Sequence, residues 1–148
     1  MKIVIGVDDS PHSRAAIDYL KRMRWPAGTE VAVLSVAKPA IIAHTLVDAG
    51  GIGYMKAYEE EQVQEHQELA ARVEREMQDV GFKTTARVLT GDPREAIVEA
   101  ARAEKADLVV LGSHGRTGFD KLLMGSVASH VVTHAPCSVL VVKLPVKK

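Results

Sequence analysis

DLVVLGSHGRTGFDKLLMGSVASHVV, residues Asp107 to Val132, is the stretch that decides the fold. It opens with a fully apolar run, Leu108 to Leu111, short enough to be a buried strand. It then breaks into a loop with glycine at 112, 115, 118 and 125. After Gly125-Ser126 the apolar residues Val127, Val131, Val132 and Ala135 fall at helical spacing. A strand, a glycine-rich loop and a helix amino terminus together make a place to hold a phosphate. Unpaired N–H groups point outward at the start of a helix, and the helix dipole adds partial positive charge there. Glycine lets the backbone come close to an anion with no Cβ in between. Ser126 can add a hydroxyl donor. A side chain introduced at 125 is expected to fill the phosphate position.

The spacing is Gly112-x2-Gly115-x9-Gly125-Ser126. It is not a Walker loop, because no Gly-Lys dipeptide occurs, and no G-x-G-x-x-G dinucleotide fingerprint is present. It matches the G-x2-G-x9-G-[S/T] signature of ATP-binding universal stress proteins. Two further stretches carry the same resemblance. Val7-Asp8-Asp9-Ser10-Pro11 resembles that family's V-D-x-S-P opening, and Pro136 to Val142 its closing P-C-x-V-L-V-V strand. With Gly112-Ser113-His114-Gly115-Arg116-Thr117-Gly118 resembling the G-S-x-G-R-x-G loop, the likeness covers essentially the whole chain.

Bulk composition narrows the function classes. The 148 residues suffice for one domain with a proper core. Lys+Arg 19 balances Asp+Glu 19, so no basic surplus drives nucleic-acid binding. No apolar run is long enough to span a bilayer, and the chain begins directly with a strand, which predicts a cytoplasmic protein without membrane insertion. The single Cys137 fits a reducing compartment. Beside Pro136, at the start of an apolar run, it reads better as a small buried hydrophobe than as a redox sensor.

Taken in order, the chain alternates strands and helices. Lys2–Val7 is a strand. Ser10 is an N-cap and Pro11 a first helical residue for a helix to about Met23. Glu30–Val36 is the second strand. Residues 37–53, with Pro39, Gly50, Gly51 and Gly53, form a long connection able to cover a site. The longest helix runs from about Met55 to Val80, with Val63, Leu69, Ala70, Val73, Met77 and Val80 on its apolar face and Gly81 as its stop. Glu59-Glu60-Glu61 faces solvent. Lys83–Leu89 is the third strand, Asp92-Pro93-Arg94-Glu95 a capping box, and Ile97, Val98 and Ala101 the core side of the next helix. Ser138–Val142 is the fifth strand. Such alternation implies an α/β fold, a parallel doubly wound sheet with helices on both faces. The resemblance implies strand order 3-2-1-4-5, a Rossmann-like fold of the adenine nucleotide alpha hydrolase-like kind. Ligands of such sheets bind beyond the carboxyl ends of the strands, where the winding reverses.

The resemblance also implies site residues. Asp8 would meet the adenine or ribose edge, within the segment Val7, Asp8, Asp9, Ser10. As Ser10 already caps the helix, a ligand contact is the stronger reading of Asp8. Val36 would offer an apolar wall and backbone hydrogen bonds to adenine, against the alternative of plain core. Leu111 and Gly112 would lie against the ribose. Gly115, Gly125, Ser126 and Val127 would give N–H groups to the phosphates, within the loop that also holds Ser113. Arg116 and Lys121 could meet the outer phosphates. Ala128 stands where many relatives carry a hydroxyl, removing one donor. His114 is assigned no catalysis. His130 and His134, four apart, lack the Glu of H-E-x-x-H and a third ligand, so they read as surface or interface histidines.

The implied cofactor is ATP or a related adenine nucleotide. Mg2+ could arrive with it through phosphates and water. The implied function is nucleotide-dependent regulation of a stress response. The implied partner is a second copy of the chain, paired through strand 138–143, because the apolar run would otherwise leave an open sheet edge. Two alternatives remain: a slow ATPase or nucleotidyl transferase, and a nucleotide-independent dimerisation module. No general base with an orienting partner is evident, so turnover should be slow or nil. The intact glycine motif argues against the second alternative.

Overall fold

The computed structural model describes residues 1–40, 51–116 and 124–145. Its strands are β1 (Lys2–Val7), β2 (Glu30–Ala37), β3 (Lys83–Thr90), β4 (Leu108–Gly112) and β5 (Ser138–Val142). Its helices are α1 (Pro11–Arg22), α2 (Ile52–Asp79), α3 (Pro93–Ala103) and α4 (Ser126–His134). All strand pairs are parallel, and the sheet order is β3-β2-β1-β4-β5, as the resemblance implied. The winding therefore reverses between β1 and β4, which pair from Ile3↔Leu108 to Ile5↔Val110.

Alternation along each strand sorts the core into two layers. Ile3, Ile5 and Val7 of β1 and Val31 and Val33 of β2 face α1 and α2, where Ala16, Ile17, Leu20, Ala70, Val73 and Met77 cover them. Val4, Ala32, Leu34 and Val36 face the other way, onto Ile97, Val98 and Ala101 of α3 and Val131 of α4. This is the period of two expected of strands buried on both sides.

The helix ends follow local chemistry. The Ser10 hydroxyl accepts from the Ser13 N–H at 3.1 Å, and Pro11 opens α1. At the end of α2 the chain turns through Gly81 at φ +97, with Gly81 N–H bonded to Gln78 O and Phe82 N–H to Met77 O. Three expectations are corrected here. α2 begins at Ile52 rather than Met55, and Val80 is exposed because it is the C-cap, past the last full turn. The long connection is shorter than 37–53, since β2 includes Ala37 and α2 begins at Ile52, and residues 41–50 of it lie outside the described residues.

The capping box before α3 is half formed. Asp92 accepts from the Arg94 N–H at 2.9 Å, but Glu95 reaches toward His130 instead of back to the cap. Arg94 folds its guanidinium onto the Asp92 carboxylate at 2.7 Å, which holds that carboxyl down at about 2. Glu59, Glu60 and Glu61 are exposed as expected, and Glu59 Oε1 accepts from the Ala40 N–H at 3.2 Å.

Candidate functional site

The loops after β1 and β4 meet at the point where the sheet winding reverses. Asp8 follows β1 directly. Its Oδ1 accepts from the Ser10 N–H at 2.9 Å, and its own N–H donates to Ser13 Oγ at 3.0 Å. The turn therefore fixes the carboxylate before any ligand arrives. A Cβ built on Gly115 would stand 3.1 Å from Asp8 Oδ2, so this second oxygen faces the glycine loop. Asp8 is thus not the helix cap: one oxygen holds the turn before Ser10, and the other lies beside Gly115.

The glycines are explained in part by the chain itself. A Cβ on Gly112 would come within 2.6 Å of the His12 carbonyl carbon and 2.8 Å of the Ser13 nitrogen. Only a residue without a side chain lets β4 end against the first turn of α1. A Cβ on Gly125 would meet Ser113 O and His114 Cα at 3.2 Å. The expectation that a side chain at 125 fills only a phosphate position is therefore too narrow, because it would first push on the 113–115 turn.

Gly125 also departs from its expected donor role. Its N–H donates to Ser113 O at 2.7 Å, so Gly125 and the 113–115 turn form a collar and this N–H does not point at a ligand. The helix it caps has no side-chain cap, so the N–H groups of Ser126 and Val127, like that of Ala128, precede its first backbone bond and have no acceptor among the described residues. Ser126 is exposed and Val127 half-buried.

Ser113 faces inward. At 1% exposure its hydroxyl lies 3.2 Å from His12 Nδ1 and 3.0 Å from His114 Nδ1, while its N–H donates to Val142 O at 2.8 Å. It braces the collar against α1. Val7, Val36 and Leu111 put their side chains into the core, so they can offer a ligand only backbone groups. Ser10 is spent on its cap. Asp9 and Arg116 line a cleft. Gly118 and Lys121 lie outside the described residues.

That cleft, about 250 Å³, is bounded by Asp9, Arg116 and four residues of α2 with charge or hydrogen-bonding capacity, Glu65, His66, Glu68 and Arg72. His66 is the residue sequence reading missed. It sits on the apolar stripe of α2 between Val63 and Ala70, yet is 9% exposed and polar. Its Nδ1 lies 2.6 Å from Ser35 Oγ, a hydroxyl buried in the middle of β2. Two polar residues interrupting two apolar patterns were the available signal, since buried polar groups need partners.

The rings of His130 and His134 stack with centroids 4.1 Å apart, and His130 Nε2 lies 3.2 Å from Glu95 Oε1 without hydrogen-bond geometry. Among the described residues no group of three metal-ligating side chains converges. Cys137 is partly buried against the α3–α4 layer, and burial raises its thiol pKa, which lowers thiolate reactivity. No helix among the described residues is long and apolar enough to cross a membrane.

Comparison with known proteins bears on the same arrangement. A model of the universal stress protein family matches residues 1–143. The universal stress protein MJ0531 of Methanocaldococcus jannaschii is 35% identical over 147 residues, spanning 99% of this chain and 84% of that protein. The solved structure of MJ0577, from the same organism, superposes with a TM-score of 0.83 at 27% identity, covering 99% of this chain and 97% of that one. A universal stress protein solved in complex with cAMP superposes at 0.60 with 26% identity, covering 96% of both chains.

Proposed function

Since the chain belongs to the universal stress protein family, we propose that it binds an adenine nucleotide, ATP or a related form, where β1 and β4 diverge, and that the bound state regulates a stress response. One observation carries this reading. Gly112 and Gly125 are held Cβ-free by close backbone approach, and the collar they form opens on the orphan N–H groups of Ser126 and Val127. A solved relative that holds cAMP supports the adenine ligand class.

In this reading Asp8 Oδ2 accepts from a ribose hydroxyl or the adenine amino group. The backbone ends of β1, β2 and β4 at Val7, Val36, Leu111 and Gly112 form the floor. Gly115, Ser126 and Val127 donate to phosphate, and Gly125 and Ser113 shape the collar rather than touch the ligand. Arg116 meets the outer phosphates from the cleft side. A divalent cation such as Mg2+ would be held chiefly by those phosphates and by water, because no ligating cluster is present among the described residues.

The whole chain acts as one cytoplasmic domain that pairs with a second copy through the strand at 138–143. Its apolar residues Val139, Leu140 and Val141 are only partly buried when β5 has β4 alone as partner. Light scattering at micromolar concentration should therefore give the mass of a dimer.

The nucleotide reading is tested by denaturing freshly purified protein and separating the supernatant by ion exchange beside nucleotide standards. Released ATP, AMP or cAMP is the expected result. ADP accumulating with time would replace it with slow hydrolysis. No released nucleotide, together with no binding of added nucleotide at millimolar concentration, would leave a dimerisation module.

A further inference from the structure

His66 occupies a position that the nucleotide reading leaves without a role. It reaches from the middle of α2 to the core and lines the same cleft as Arg116. The Ser35 hydroxyl donates to the Val7 carbonyl at 3.3 Å and meets His66 Nδ1 at 2.6 Å. A hydroxyl has one proton, so with that proton on Val7 the Nδ1 atom carries the hydrogen of the shorter bond. The tautomer is assigned from this hydrogen-bond balance. It leaves Nε2 as the atom that takes up a further proton. The imidazolium can then form without breaking the Ser35 bond, and only electrostatics opposes it.

Those electrostatics come from several directions. Burial is the larger opposing influence and the Arg116 guanidinium the next, and together they push the imidazole below its ordinary value of 6.5. Glu65 on the same helix and Asp8 at the end of β1 pull the other way. Asp9, Glu68 and Arg72 complete the charged lining of the cleft. Of the two influences that oppose protonation, burial belongs to the fold. The charge of Arg116 is the one that an anionic ligand can cancel.

We propose that His66 is a proton-linked sensor of the anion held at Arg116, gaining a proton when a phosphate neutralises the guanidinium across the cleft. The inference rests on the nucleotide reading above and adds a regulation to that site. Its sign follows from linkage. A ligand that raises the affinity of His66 for a proton gives a complex that carries more protons than the free protein. Nucleotide affinity therefore falls as pH rises through the interval between the free and bound titration midpoints, by up to about tenfold for each unit separating them. The signal has a direct path into the fold. Protonation places a charge on a side chain hydrogen-bonded through Ser35 to the last residue of β1, next to Asp8.

The test is the pH titration of the His66 Hε1 resonance by NMR, assigned by its absence from His66→Asn. It is followed in the free protein, with saturating ATP and with saturating cAMP, whose phosphodiester does not itself titrate near neutrality. The free midpoint should lie below that of an exposed histidine and rise when ATP is bound, with cAMP, which has no outer phosphate, raising it less. In the free Arg116→Gln protein it should already be raised. Arg116 is exposed, so this variant should fold. Amide shifts at Gly112 and Ser126 with an unmoved His66 midpoint would overturn the sensor and leave nucleotide binding intact. An unchanged midpoint in free Arg116→Gln would overturn it as well. No nucleotide-induced shift anywhere would overturn both readings.

Discussion

The two ends of the sheet are closed by different physics. At the amino end the strands are stitched by opposite charges. Lys2, the first residue of β1, pairs with Glu104 at 2.6 Å, and Lys83, the first of β3, with Glu30, the first of β2, at 2.8 Å. Lys2 N–H donates to Asp107 Oδ2, and Asp107 N–H returns a bond to Lys2 O at 2.8 Å. At the carboxyl end the closures are backbone against backbone, where Gly112 meets α1 and Gly125 meets the 113–115 turn, braced by a buried hydroxyl among histidines. Exposed ion pairs tolerate substitution because each contributes little. Contacts that leave no room for a Cβ do not. The amino end therefore tolerates substitution, and the carboxyl end holds a fixed shape.

That contrast can be broken by substitutions that separate folding from binding. The largest effect is expected from Leu20→Ala. Leu20 is wholly buried near the end of α1, toward the amino end of the sheet, and the cavity should cost about 2–5 kcal/mol in urea unfolding. The fraction that stays folded should bind nucleotide with unchanged affinity, and a large loss of affinity would break the division between the ends. Gly112→Ala should cost about 1–3 kcal/mol, because its neighbours are backbone atoms that can move only with α1. Unlike Leu20→Ala, it should also remove binding in isothermal titration of the folded protein.

Smaller effects sharpen the comparison. Ser10→Ala removes the α1 cap and should cost about 1 kcal/mol in thermal unfolding. It should also weaken binding, because the turn that fixes Asp8 loosens with it. The smallest effect belongs to Glu76, which joins α2 to α1 through Arg14 at 2.6 Å and Lys21 at 3.0 Å. These cations hold its carboxyl down at about 2, against an ordinary 4.5. A carboxyl depressed in the folded state gives stability that is present above its unfolded value and lost as pH falls toward its folded one. Glu76→Gln should therefore cost less than about 1 kcal/mol at neutral pH, since the pair is solvent-screened. It should also flatten the acid limb of the stability curve between about pH 4.5 and 2. An unchanged acid limb would show that the link is not formed in solution.

The fold was legible because its signals are local and repeated. Leu108–Leu111 and Lys2–Val7 are apolar runs too short for helices, and Ser10-Pro11 and Asp92-Pro93 announce helix starts by their own chemistry. Strand order was not legible from periodicity and came from the resemblance carried by Gly112, Gly115, Gly125 and Ser126. The site was legible as a location more than as a set of contacts. Gly125 stands out as a glycine, but no pattern says that its N–H is taken by Ser113 O, a bond between residues on two different elements' ends. Val36 and Leu111 look alike whether they face a ligand or the core, since both demand an apolar side chain. His66 was not legible, because a histidine on a helical stripe has no meaning until Ser35, 31 residues earlier, stands beside it.

The central claim is that nucleotide is held by the collar between β1 and β4. Titration of 15N-labelled protein with cAMP, read as amide shift changes residue by residue, tests it most directly. Saturable changes should concentrate at Asp8–Ser10, Gly112–Arg116 and Gly125–Val127 and be absent at Lys2, Glu30 and Lys83 at the opposite end. Saturable binding whose shifts cluster away from those three segments, or no change at millimolar nucleotide, would contradict it.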